Sequence, residues 1–162
     1  MLIECSDGRK LACTLTLPTL TAGTGPPHYV VINSATGVRQ RFYSAFAQYL
    51  ADAGFHVLTW DPRGIGESRR GHAKHDPTRM RDWGVLDMGA VLLHARAPAG
   101  GDWSRVAVIG HSAGGHLSGL SASLTHINRL VLVASGTCDW RLYPSASGRA
   151  YWALGTAWHP SR

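Results

Sequence analysis

The sequence predicts an α/β domain, a mostly parallel sheet with helices on both faces, entered through an N-terminal antiparallel hairpin. Three observations carry that expectation. From His28 onward, short apolar runs bounded by turn-forming residues alternate with segments of helical periodicity. The opening segment instead alternates apolar and polar positions around a tight turn. The order strand, helix, strand, helix, strand then requires right-handed crossovers, and these build a parallel sheet.

In chain order, "LIEC", the turn Ser6-Asp7-Gly8 and "KLACTLTLP", ending at Pro18, form the hairpin. "TLTAGTGPP" is a linker. "HYVVIN", held between a proline pair and Asn33-Ser34, reads as a buried parallel strand. After "SATGVRQ" comes a helix with Val38, Phe42, Phe46, Tyr49 and Ala53 at spacings of four, four, three and four, closed by Gly54. That stripe is expected to be its buried face. "FHVLTW" is the next strand and "DPRGIGES" a glycine-rich turn at its C-terminal end. Asp76-Pro77 fits the N-cap and first position of a second helix, running to about Ala97 with Trp83, Leu86, Ala90, Leu93 and Ala97 as its stripe. "RVAVI" is a strand, Gly110 to Gly114 a turn, Ala113 to Leu124 a helix and "RLVLVAS" the sixth strand. The loops at Ser34, Asp61 and Ser112 all fall at C-terminal ends of parallel strands, where such sheets bind their ligands. Residues 1–136 therefore read as core. Residues 137–162 hold three of the six tryptophans and no clear strand, as expected for the start of an aromatic-rich lid.

Composition agrees with a globular chain: 44% hydrophobic and 16% charged residues are far from the pattern of disorder. A formal charge of +6 raises the question of a nucleic-acid partner, but the arginines are scattered and form no basic run, so none is expected. The start "MLIECSDGRK" lacks the layout of a signal peptide, and no apolar run approaches the roughly 20 residues of a membrane span. A cytoplasmic location is the expectation. The three cysteines, Cys5, Cys13 and Cys138, form no CxxC pair and have no histidines at ligand spacing, so they read as reduced thiols, with no metal or cofactor expected.

Chemistry concentrates at Gly110-His111-Ser112-Ala113-Gly114, a G-x-S-x-G match between a strand and a helix. That setting projects Ser112 above the sheet as a nucleophile. The Ala113 NH, at a helix N-terminus, and the Ala35 NH, on the "NSATG" loop, are the expected oxyanion donors. His111 reads as structural because neighbouring residues on such a turn point in different directions, and His116 because, one helical turn on, it points along the helix rather than over the serine.

Taken together, "VVINSATGVRQRFYSAFAQYLADAGFHVLTWDPRGIGES" and "VAVIGHSAGGHLSGL" resemble the α/β-hydrolase superfamily, in its serine aminopeptidase S33 and monoglyceride-lipase-like group. The "ASG" and "WRLYP" pieces between Ala134 and Pro144 add a likeness to uncharacterised bacterial α/β-hydrolases. One departure is visible from relatives that begin the oxyanion loop with His-Gly: Asn33-Ser34 occupies that place. The resemblance implies a serine hydrolase, forming an acyl-enzyme on Ser112 with small ester or amide substrates, carboxylic or lipid esters above all. It also implies the chain order nucleophile, acid, histidine, with a lid after the sixth strand. Asp139 and His159 are weak in-chain candidates for acid and base, so the resemblance implies a sheet truncated after that strand, an N-terminal fragment inactive alone. A peptidase or acyltransferase on the same fold, and a catalytically inactive binding module, stay open as alternatives.

Overall fold

A computed structural model of the protein describes residues 1–19, 25–72, 75–136, 141, 144–148 and 150. Its six strands are β1 (Leu2–Glu4), β2 (Lys10–Thr16), β3 (Tyr29–Asn33), β4 (His56–Trp60), β5 (Val106–His111) and β6 (Arg129–Val133). They form one open sheet in the order β1-β2-β4-β3-β5-β6. β1 and β2 pair antiparallel, as do β2 and β4, whereas β4, β3, β5 and β6 run parallel. From β3 the chain crosses to β4 on one side, and from β4 it crosses back to β5 on the other. This reversal sets the loops after β3 and β5 side by side, with Asn33 in register with Gly110.

Alternation along the strands feeds two cores. Val30, Ile32 and Val57 face α1 (Ser44–Asp52) and pack with Tyr43, Ala47 and Ala51. Tyr29, Val31, Leu58 and Val108 face the other way, onto Met88, Val91, Leu92 and Ala95 of α3 (Met88–Arg96). A short α4 (Ala113–Ser118) follows β5, and a 3-10 turn at Ala122–His126 stands where a longer helix was expected.

Both expected stripes need correction. Phe42, Phe46 and Tyr49 are 70%, 42% and 69% exposed, while Tyr43, Ala47 and Ala51 are buried. The segment opens as a 3-10 helix at Gln40–Tyr43, and the alanines of α1 let its backbone approach the sheet. The second helix starts at α2 (Met80–Asp82), not at Asp76. Asp76 instead takes an ion pair with Arg9 at 2.5 Å and the Thr78 NH, while Asp82 accepts from the Arg79 NH. A π-helical turn, Trp83–Asp87, then joins α2 to α3. Such a turn inserts a residue into the helical repeat, so the buried side advances from Leu86 and Ala90 to Asp87 and Val91.

β6 closes the described sheet at one edge, and all five of its residues are exposed. Leu130, Val131, Leu132 and Val133 keep between 39% and 55% of their surface in solvent. An unpaired apolar edge is a template for another strand. The 162-residue chain should therefore associate, giving a light-scattering mass above 17.4 kDa that rises with concentration. Val131→Lys combined with Leu132→Lys should reduce that association; a wild-type mass that stays monomeric at every concentration contradicts the reading.

Candidate active site

The elbow begins where β5 runs out. Ser112 has φ 51° and ψ −117°, a conformation costing a non-glycine residue about 1–3 kcal/mol unless its surroundings enforce it. They do so on both sides. The Ser112 NH donates to the Val133 carbonyl of β6 at 2.9 Å, and the Ser112 carbonyl accepts from Gly115 and His116 to start α4. A β-carbon at Gly114 would collide with the carbonyl of Asn33, and one at Gly110 would meet the Gly115 backbone at 2.5 Å. Both glycines of the motif are thus required by close approach. Ser112 is left half-buried at the head of α4, where opening NH groups, including that of Ala113, have no acceptor inside the helix.

Across from the elbow lies the loop after β3, pinned at both ends. At its start, Asn33 is 1% exposed and fully engaged: its Oδ1 accepts from Trp60 Nε1 at 3.0 Å and its Nδ2 donates to Ser118 Oγ at 3.2 Å. Ser118 in turn donates to the Gly114 carbonyl at 2.7 Å. At its far end, the Gln40 NH donates to Asp61 Oδ1 at 2.7 Å, while Asp61 Oδ2 accepts from the Glu67 NH at 2.9 Å. The "DPRGIGES" turn is therefore a bracket for this loop, with Ser68 Oγ bridging the Asp61 carbonyl at 2.5 Å and the Ala12 NH at 2.8 Å.

Between those pins Ala35 is 8% exposed, and its NH donates to the Tyr43 hydroxyl at 2.9 Å. The same hydroxyl lies 2.9 Å from His111 Nδ1. His111 thus has a specific polar partner beyond packing, and Tyr43 is a site residue that the sequence reading missed. Its signal was weak, because Tyr43 lies beside the apolar stripe rather than on it. Burial pushes the Tyr43 phenol above its ordinary pKa, so it stays protonated. His116 Nε2 accepts from the Gly136 NH at 2.7 Å, which ties α4 to the chain after β6. Cys138, Asp139 and His159 lie outside the described residues.

A second polar cluster supports the bracket. Arg63 reaches Asp87 at 2.6 Å and Asp7 at 2.7 Å, and its NH donates to Asp87 at 2.9 Å. Asp87 is fully buried, and burial raises its carboxyl above the ordinary range despite the guanidinium beside it. The Arg9 hydrogen bond holds Asp76 below that range. Burial pushes the thiols of Cys5 and Cys13 up to about 12, which removes them as nucleophiles. An apolar cavity of about 260 Å³ lies between Phe42, Phe46, Ile109 and Val133. Tyr43 and His111 line it as well, and Ser112 does not. Among the described residues no cluster of three or more histidine, cysteine or carboxylate side chains could hold a metal.

An open, mostly parallel sheet with a strained serine turn after a central strand and a small-residue loop beside it defines an α/β-hydrolase. The chain belongs to the serine aminopeptidase S33 family of hydrolases, whose pattern matches residues 25–161. No curated protein matches it. Solved structures share the fold. An α/β hydrolase from Sphaerobacter thermophilus is 24% identical with a TM-score of 0.59, over 96% of this chain and 55% of its own. A hypothetical protein from Pseudomonas aeruginosa is 22% identical with a TM-score of 0.68, over 98% and 51%. Est1E from Butyrivibrio proteoclasticus, solved with ferulic acid bound, is 25% identical with a TM-score of 0.62, over 80% and 50%. The chain spans about half the length of these structures.

Removing one partner of a buried ion pair costs about 3–5 kcal/mol, because the other charge is left uncompensated. Arg63→Ala should therefore lower the urea-unfolding free energy by about that amount. A loss under about 1 kcal/mol, the range of exposed pairs, would show that Asp87 does not depend on Arg63.

Proposed function

We infer that the protein is a serine hydrolase of carboxylic or lipid esters, in which Ser112 forms the acyl-enzyme. The observation that carries this reading is the backbone of Ser112, held at positive φ between β5 and α4 and facing the loop of Ala35. In the first step Ser112 Oγ bonds to the ester carbonyl carbon, a histidine accepts the hydroxyl proton, and the oxyanion forms between the Ala35 and Ala113 NH groups. The C–O bond to the alcohol then breaks, with the proton passing from histidine to the leaving oxygen. Water attacks the acyl-enzyme by the same route in reverse and releases the acid.

His111 and His116 are turned to Tyr43 and Gly136, so neither serves as that base. We assign the acid and the histidine to a part of the protein after residue 162, and the aromatic segment 137–162 to the start of a lid. Apolar acyl groups suit a weakly charged, aromatic lid, and a structural relative was solved with an aromatic carboxylic acid bound. The unpaired, buried thiols of Cys5 and Cys13 suit the reducing cytoplasm.

The test is labelling by a fluorophosphonate, in which the Ser112 Oγ–P bond forms, fluoride leaves and the serine proton goes to the base. The full-length protein, expressed from the frame continued past Arg162, should label at Ser112, and its Ser112→Ala variant should not. The 162-residue chain should label slower by about a thousandfold or more, as expected when triad members are missing. Equal labelling of the Ser112→Ala variant, or a reading frame that closes at Arg162, overturns the proposal.

A further inference from the structure

The Ala35 NH carries one hydrogen, and in the structure that hydrogen is already given to Tyr43 Oη at 2.9 Å. The donor expected to receive an oxyanion is therefore occupied in the unliganded protein. Its occupant is fixed from two directions. The Tyr43 ring is packed among Val30, Ile32, Ala47 and Val57, with 7% of the residue exposed. Its hydroxyl is also held by His111 Nδ1 at 2.9 Å, on the residue just before Ser112. Oη accepts from Ala35; with a bare Nδ1 the phenolic proton points to His111, and with a protonated Nδ1 the imidazole donates to Oη instead. Either way the hydroxyl oxygen accepts the Ala35 hydrogen bond.

Resting on the reading of Ser112 as nucleophile, we propose that Tyr43 is a latch on the oxyanion site, its hydroxyl occupying the Ala35 NH until the carbonyl oxygen of a substrate displaces it. Two physical consequences follow. Without the hydroxyl, a buried backbone NH would lack an acceptor, so the latch stabilises the resting loop. With it, an oxyanion gains only the difference between its own hydrogen bond and the one it replaces. Tyr43 thus positions the loop and at the same time holds down the reactivity of the serine. The latch also joins the two halves of the site, since Ala35 comes from the β3 loop and His111 from the elbow.

Tyr43→Phe keeps the ring and removes the hydroxyl. In the full-length protein, the fluorophosphonate labelling rate at Ser112 should rise about fivefold, the equivalent of about 1 kcal/mol for one net hydrogen bond. The thermal midpoint should fall at the same time. A merely structural tyrosine would leave the rate unchanged or lower it when lost. His111→Ala releases the other side of the hydroxyl and should raise the rate by less; if Tyr43→Phe does not fold, the direction of the His111→Ala effect decides. Labelling at or below the wild-type rate in the folded variants overturns the latch while leaving Ser112 as the nucleophile. A wild-type protein that gives no Ser112 adduct overturns both.

Discussion

The contact on which the rest of the site depends is that of Gly114 against the carbonyl of Asn33. It brings the first turn of α4 onto the end of β3, closer than any side chain would allow. From that approach Ser112 acquires its strained backbone, and its neighbours are then built to hold it. Val133 of β6 takes the Ser112 NH, and Ser118 returns from α4 to the Gly114 carbonyl. The strain is met by hydrogen bonds from β6 and α4 rather than by any property of serine itself.

A second constraint follows from the crossover order of the strands. Because β4 lies on one side of β3 and β5 on the other, the β3 loop and the elbow stand side by side at the point where the strand order reverses. Such a loop is useful only if its backbone points one way, and here both ends are pinned by buried polar residues. Asn33 binds Trp60 and Ser118, and Asp61 binds the Gln40 NH. The Asn33 amide supplies both a donor and an acceptor at the start of that loop. The loop is thereby ordered at both ends.

Much of this was legible in the sequence. The six strands in their succession along the chain, the hairpin, the G-x-S-x-G turn and the glycine-rich turn after β4 are local patterns, and each falls within a few residues of its expected place. The helix faces were not legible. Periodicity assumes a constant 3.6-residue repeat, and the π-helical turn at Trp83–Asp87 breaks it by one residue, bringing Asp87 into the core. Likewise the 3-10 start at Gln40 rotates Phe42 outward and Tyr43 inward. That rotation is why the tyrosine at the Ala35 NH went unseen: a hydrogen bond across eight residues of loop and turn leaves no mark on spacing. The pairing of Arg63 with Asp87 and Asp7 was hidden for the same reason, since its partners are brought together only by the fold.

The central claim is that the elbow and the β3 loop form one oxyanion site around Ser112. A crystal structure of the protein phosphonylated at that serine tests it most directly. The account predicts that Ser112 keeps a positive φ near 51°, with the phosphoryl oxygen accepting from the Ala113 and Ala35 NH groups and the Tyr43 hydroxyl no longer on Ala35. A phosphoryl oxygen turned to solvent, with the Ala35 NH still donating to Tyr43, would contradict it.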